Sequence, residues 1–490
     1  YTMITRIEID GFKMFQDFTL DLEPVVCVVG ANAVGKSNLF DVLRLLSRLA
    51  DNDLRTAFQS PETEREEMRG EAYELFTIGP DGIPLTKMRC GVELLVEPSI
   101  RDSWGAEEQL TYTRMRYELE IERRKDDRGL ERLYVTHERL APIFRDGDSW
   151  ATHQIRRNHE HWIPSSRTGR MRARRKEYFI STSTTQREGV PTISLHQDGH
   201  GGRKSSVAER IERTMLSGVT NTEFPHALAA REEMRSWRFL QLNPRSLRQP
   251  SSMNAQQTLA PDGSFLPSTL ARLKAENSYI LHDVARDLGE LVSGITTLEI
   301  EEDASRNRYV MYATTQDGRR FSSRILSDGT LRLLALITLK NDPEYRGVLC
   351  FEEPENGIHP ARIHNTVQLL RDLATHFDDD DAIHLPLRQM LVNTHSPVLM
   401  AEYVKQSKRI GGESVPGLLF AYTATRVRGK SSEGSVRITR MAPVTPDRQT
   451  RLALPTDEAE RIYTLGEVER YLSTVDPGEA LETLKPGRSR

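Results

Sequence analysis

The stretch EPVVCVVGANAVGKSNLF, residues 23–40, constrains the fold of this chain more than any other. The unbroken apolar run VVCVV has the length and β-branched content of a strand buried on both faces. It enters a glycine-bearing loop, Gly30-x-x-x-x-Gly35-Lys36-Ser37, after which the apolar residues of 36–50 recur at helical spacing. Strand, loop and helix in that order are the context a phosphate-binding P-loop requires. The glycines let backbone N–H groups turn inward around phosphate oxygens, and the helix N-terminus adds the positive end of its dipole. Gly30, Asn32, Ala33, Gly35, Lys36, Ser37 and Asn38 are therefore candidate nucleotide contacts. Lys36 would reach the β- and γ-phosphates and Ser37 would ligate Mg²⁺, so ATP and Mg²⁺ are the expected ligands. A chance glycine-rich turn is the competing reading, and the flanking strand and helix weigh against it.

The 490 residues suffice for one large elaborated domain or two to three ordinary ones. Hydrophobic residues make up 37% and charged residues 28%, a soluble composition with material for a core. The net charge of -4 excludes wholesale attraction to nucleic acid or membrane, so such binding would need a local patch. Cys27, Cys90 and Cys350 sit in strand-like apolar runs without a C-x-x-C. That argues against a disulfide framework or a zinc ribbon and fits a reducing compartment. With no run of 18 apolar residues and no signal-peptide pattern, the expectation is a cytoplasmic protein without a membrane partner. Met3 reads as the natural start, with Tyr1 and Thr2 as additions.

Residues 1–140 read as an N-terminal lobe: two strands in 3–29, the P-loop, and an antiparallel β meander over 87–140. Residues 141–292 read as an insertion, first basic and weakly periodic, then helical from about 205 in SVAERIERTML and STLARLKAENSYILHDVARDLGELVSGI. Residues 293–440 alternate strand-like and helical runs, among them the helix LRLLALITLK, the buried strand GVLCFEE, a helix over 361–376 and the buried strand RQMLVNT. The tail, 441–490, carries one amphipathic helix, DEAERIYTLGEVERYLSTV. No heptad repeat is present, so no long coiled-coil arm is expected.

A P-loop nucleotide needs an acid from a neighbouring strand. GVLCFEEPENGIHP supplies Glu352, a candidate for the Mg²⁺ shell, and Glu353, a candidate base for the attacking water. A solvated acidic pair at a strand end is the alternative. Some 25 residues upstream, Leu326-Ser327-Asp328-Gly329 opens an apolar helix, which by itself would be an N-cap. His395 follows the strand of LVNTHSPVLM, a place where a lone histidine is usually structural.

Taken in order, the P-loop, LSDG, CFEEPENGIHP and NTHSP resemble the motifs of ABC-type AAA ATPases of the RecF, SMC and OLD kind, specifically short heads without a coiled coil. The resemblance covers about 1–140 and 290–400 well. It implies an α/β ABC-type P-loop ATPase head, with a mixed sheet core, an antiparallel β subdomain and a helical or irregular insertion. It implies that Ser327 and Gly329 contact the γ-phosphate held by another subunit, that His395 senses that phosphate, and that Lys36 and Glu353 act in hydrolysis. A homodimer or higher homo-oligomer follows from such a shared site. The family also carries a coupling glutamine, for which Gln154, Gln186 and Gln197 are the candidates. Head-only chains of this kind resemble ATPase components of bacterial anti-phage systems such as Septu and PARIS. In OLD-type relatives a Toprim nuclease follows the ATPase, but the 90 residues after 400 show no D-x-D on a strand. A separately encoded effector nuclease is therefore the expected partner. A RecF-like DNA-repair clamp and a scaffold with structural nucleotide remain open beside this reading.

Three further features carry alternatives. The segment 156–176 contains Arg156, Arg157, Arg167, Arg170, Arg172, Arg174, Arg175 and Lys176 with Trp162 among them. It reads as a nucleic-acid contact, a docking surface for an acidic protein, or a solvated loop. His153, His159 and His161 lie close together but lack the ligands that would complete a metal set. FDDDD, 377–381, reads as a solvated turn rather than an acidic nuclease cluster.

Overall fold

The structure, a computed structural model, describes residues 3–59, 74–155, 159–163, 178–184, 191–197, 203–207, 212–292, 294–379, 383–407, 414–427, 435–446 and 462–473. The P-loop strand Val25–Val29 sits in a seven-stranded sheet. The order is Arg238–Leu240, Gly347–Glu352, Arg388–Thr394, Val25–Val29, Leu418–Val427, Ser435–Thr445, Tyr463–Thr464. The first five strands run parallel, and Leu418–Val427 pairs antiparallel with Ser435–Thr445. Side chains along these strands alternate between two cores. Val26, Val28, Val348, Cys350 and Leu391 face one core, and Cys27, Val29, Leu349, Phe351, Met390 and Val392 face the other. A parallel strand covered on both sides has no polar face, which is why these segments read as continuous apolar runs. All three cysteines are unpaired and buried, and burial raises the Cys90 thiol pKa to about 12.

A second sheet of eight strands is antiparallel in every pairing. Its order is Arg203–Val207, Pro191–His196, Ile180–Thr184, Glu131–Pro142, Arg114–Lys125, Lys87–Leu95, Met3–Asp10, Phe18–Asp21. One face packs on the P-loop helix Lys36–Leu49: Ile7, Ile9, Val92, Leu119 and Ile121 share a core with Leu39, Val42 and Leu46. The other face is laced with ion pairs. Arg116 reaches Glu8 at 2.5 Å, Glu118 at 2.8 Å and Glu93 at 3.2 Å, while Lys87 and Arg89 both hold Glu120. The period-2 alternation of a half-buried sheet is the pattern that made 87–140 legible as a meander.

The fold is thus the expected α/β class, with parallel and antiparallel sheets, but several elements differ from expectation. Residues 3–29 form three strands rather than two, because Phe18–Asp21 turns back on Met3–Asp10. The stretch 141–292 is not confined to an insertion. It extends the antiparallel sheet through Ile180–Thr184, Pro191–His196 and Arg203–Val207, and gives Arg238–Leu240 to the parallel sheet. SVAERIERTML is not one helix: its first residues belong to the strand ending at Val207, and Leu216 opens a 3-10 turn. The hairpin Leu418–Val427 and Ser435–Thr445 spans the expected boundary at 440. Within the C-terminal run, Tyr463–Thr464 is a strand and only Leu465–Ser473 is described as helix.

The basic residues Arg156, Arg157, Arg167, Arg170, Arg172, Arg174, Arg175 and Lys176 lie outside the described residues. Trp162 is described, and it is buried against Met3, Leu95, Ile155, Phe377 and Leu387. It is therefore a packing residue, not an exposed stacking platform for bases. The same cluster holds Phe377, which leaves Asp378 and Asp379 in solvent at a turn. Among the described residues no group of three or more His, Cys, Asp or Glu could hold a metal ion, and no helix is long and apolar enough to cross a membrane.

Candidate nucleotide site

Four parallel strands end along one edge of the seven-stranded sheet, and each delivers polar groups to a single cavity of about 920 Å³. Val25–Val29 leads to Lys36 and Ser37, Gly347–Glu352 to Glu352 and Glu353, Arg388–Thr394 contributes Asn393, and Arg238–Leu240 leads to Gln241. Open α/β sheets bind ligands in this place, outside the carboxyl ends of their strands.

The P-loop is shaped by local geometry. Gly35 caps the helix with φ +93°, a left-handed conformation, and a side chain there would collide with Thr439. Thr439 itself clamps the loop from 405 residues away in sequence. Its hydroxyl donates to the Val34 carbonyl at 2.9 Å, and its amide donates to Met14 at 2.9 Å. Lys36 is buried, and its ammonium donates to the carbonyls of Gly30 at 2.8 Å and Ala31 at 2.6 Å. Burial pulls its pKa down to about 8, against the opposing pull of Glu353, Glu355 and Glu352.

Glu353 is held from every side. Its backbone takes a left-handed φ of +47°, unusual for a residue with a side chain, and its amide donates to the Asn393 carbonyl at 3.0 Å. Strain of about 1–3 kcal/mol is tolerated where neighbours over-determine the conformation, and such residues cluster at functional sites. The carboxylate meets His395 Nδ1 at 3.0 Å through one oxygen and accepts from Asn356 Nδ2 at 2.7 Å through the other. His395 thus joins the site through Glu353. Below the same loop, burial raises the pKa of Glu355, and the Thr394 hydroxyl that donates to it partly offsets that rise.

Asn32, Ala33, Gly35, Lys36, Ser37, Asn38, Glu352 and Glu353 all line the cavity, whereas Gly30 lies behind the loop as an acceptor for Lys36. Ser327 and Gly329 do not line it. Ser327 caps the helix Asp328–Asn341 by accepting from the Thr330 amide at 3.2 Å. Gly329 packs so tightly that an added Cβ would lie 2.9 Å from the Gly357 carbonyl. The helix therefore rests directly on the loop that carries Glu353.

Of the three glutamines expected as coupling candidates, Gln154 ends the short helix Ser149–Gln154, Gln197 donates to Glu223 at 3.1 Å, and Gln186 lies outside the described residues. Neither described candidate lines the cavity, but Gln241 does. Its strand, Arg238–Leu240, is only three residues long and offers too little pattern to be read from sequence. The surviving signal is positional: Phe239-Leu240, then Gln241, then Asn243-Pro244 opening a helix.

The donor set fits a triphosphate with a divalent cation. Lys36 and Ser37, at the start of the P-loop helix, line the same cavity as Glu352 at the end of the strand Gly347–Glu352. Hard oxygen donors of this kind suit Mg²⁺, which keeps most of its shell as water and phosphate oxygen.

Among solved structures, the chain is similar to the Smc head bound to the C-terminal winged-helix domain of ScpA, at 11% identity and TM-score 0.43, covering 89% of this chain and 98% of that one. It is also similar to the SMC head domain from Thermotoga maritima, at 10% identity and TM-score 0.36, covering 90% and 98%. No curated protein matches it in sequence. A family model matches residues 25–401, well over half of the sequence, and the chain belongs to that family, described as "AAA domain, putative AbiEii toxin, Type IV TA system".

Proposed function

We propose that the protein is a Mg²⁺-dependent ATPase whose nucleotide is sandwiched between two copies of the chain. The observation that carries this reading is the convergence of Lys36, Ser37, Glu352 and Glu353 on one cavity, with Glu353 bonded to His395. Ser37 and Glu352 hold the Mg²⁺, which when bound neutralises charge on the phosphates. Lys36 exchanges its carbonyl acceptors for phosphate oxygens. Glu353, oriented by His395 and Asn356, takes the proton of a water aligned with the terminal phosphate. Gln241, beside the Glu352 strand, fills the role of the coupling glutamine. Ser327 and Gly329 serve the partner's nucleotide, which agrees with their place outside this chain's own cavity.

In the cell we assign it to the cytoplasm as the sensor or scaffold subunit of an anti-phage defence system, with a separate nuclease as effector. The family's description, which names a toxin of a type IV toxin–antitoxin system, supports a defensive role. The test is the mass of the purified protein by light scattering, with and without ATP and Mg²⁺, for wild type and Glu353→Gln. An ATP-dependent doubling that persists in the variant is expected. One fixed mass in every condition would remove the sandwich and favour a structural nucleotide. Salt-sensitive, ATP-dependent DNA binding by the protein alone would favour a repair clamp instead.

A further inference from the structure

Arg332 lies on the helix Asp328–Asn341, among the buried Leu331, Leu333 and Leu334, and its side chain lines the same cavity as Lys36 and Glu353. Its Nε is sealed from solvent and has no hydrogen-bond partner among the described residues. The acid acting on it is Asp328, whose carboxylate already accepts from Arg248. Burial lowers the Arg332 pKa, so the surroundings disfavour the cation they contain. A guanidinium nevertheless stays charged at neutral pH. Buried charges are ordinarily paired, because removing them from water without a partner is destabilising. Arg332 is partly buried, its Nε has no partner among the described residues, and its side chain lines a cavity.

An anion in the cavity would meet the exposed part of the side chain that lines it and balance its charge, and a guanidinium's planar fork matches phosphate. The position selects which phosphate. Arg332 Nε lies 3.7 Å from where a Cβ on Gly357 would stand, at the end of the loop that carries Glu353 and Asn356. Lys36 approaches from the P-loop. We propose that Arg332 contacts the terminal phosphate of a nucleoside triphosphate held by the P-loop of its own subunit. The same helix starts at Ser327 and Gly329, so the residue ties occupancy of one site to the surface offered to the other. The inference rests on the nucleotide reading above.

The experiment titrates Mg²⁺-ATP and Mg²⁺-ADP into Arg332→Met, Arg332→Lys and Lys36→Ala, each in the Glu353→Gln background, and follows thermal unfolding with and without nucleotide. Arg332→Met removes an unpartnered buried donor, so without nucleotide it should unfold at the parent's temperature or above. It should lose ATP affinity by about tenfold while ADP affinity changes less than about threefold, and Arg332→Lys should recover much of the ATP preference. If Arg332→Met fails to fold, or weakens ATP and ADP equally, the residue is structural and the proposal is overturned. Unchanged ATP binding by Arg332→Met, with binding abolished by Lys36→Ala, would overturn the proposal and leave the nucleotide site standing. Unchanged binding by Lys36→Ala would overturn both.

Discussion

The two sheets use charge in opposite ways. Along the outer face of the antiparallel sheet, Arg116, Glu8, Glu93 and Glu118 neutralise one another across neighbouring strands, as do Lys87, Arg89 and Glu120. That face is wet and self-satisfied. In the parallel sheet the strands Val25–Val29 and Gly347–Glu352 carry no charge before Glu352, and charged groups gather where they end. There, among the described residues, Lys36 bonds only to carbonyls, Glu353 is bent into a left-handed turn, and Arg332 lacks a partner for Nε. A charge paired laterally on a sheet face has little left to offer a ligand. A charge at the end of a buried strand is desolvated, positioned and available, and the chemistry of this chain belongs there.

That contrast can be broken by substitution. The largest effect is expected where the antiparallel sheet does bury a charge. Arg114 makes a two-pronged contact with Asp148, at 2.6 and 2.9 Å, and donates to Thr5 at 2.7 Å, all out of solvent. Removing one partner of a buried pair strands the other, so Arg114→Ala should lower unfolding stability by about 3–5 kcal/mol. Denaturant titration checks this, and ATP affinity measured well below the unfolding transition should be unchanged.

At the parallel edge the expected signature is a pH dependence of binding. Lys36 in the free protein loses its proton as pH rises through about 8, whereas a bound phosphate favours the charged form. Binding therefore takes up a proton above that pH. ATP affinity should be level near neutrality and fall by up to about tenfold per pH unit above pH 8. Calorimetry in buffers of different ionisation enthalpy would detect the proton uptake above pH 8 and its absence near neutrality.

The smallest effect is expected on the open face. Burial favours the neutral form of Glu120, but hydrogen bonds from Thr136, Arg89 and Lys87 outweigh it and hold the pKa at about 2. The group is depressed, so its contribution is present above the ordinary carboxylate range and lost as pH falls toward 2. Lys87 and Arg89 are about half exposed or more, and solvent screens the pairs. Glu120→Gln should cost no more than about 1 kcal/mol, less in high salt. A loss as large as that of Arg114→Ala would show that the two faces do not differ as argued.

The parts of the site legible in the sequence were those in which strand, loop and functional residue are contiguous. VVCVVGANAVGKS and VLCFEE each carry their own context, and so does the strand before His395. The parts that were not legible depend on distance or on brevity. Thr439 supports the P-loop from a hairpin near the other end of the chain, and no local pattern announces that. Gln241 follows a three-residue strand, too short for periodicity to register. Arg332 is hidden in a helix so apolar that a cation within it reads as a snorkelling surface residue. The stretch 141–292 misled for a related reason. Ile180–Thr184 and Arg203–Val207 are short, polar edge-side strands whose pairing depends on neighbours already in place.

The most direct test of the central claim, that the parallel-strand ends form one hydrolytic site, is phosphate release from Mg²⁺-ATP by wild type and by Glu353→Gln, with ATP binding measured on the same samples. Glutamine keeps the size of the side chain but cannot take the proton. The account predicts that turnover falls by about 10²–10⁴-fold while ATP binding is retained. Equal turnover by the two proteins would contradict it, because Glu353 would then have no part in the chemistry its surroundings orient it to perform.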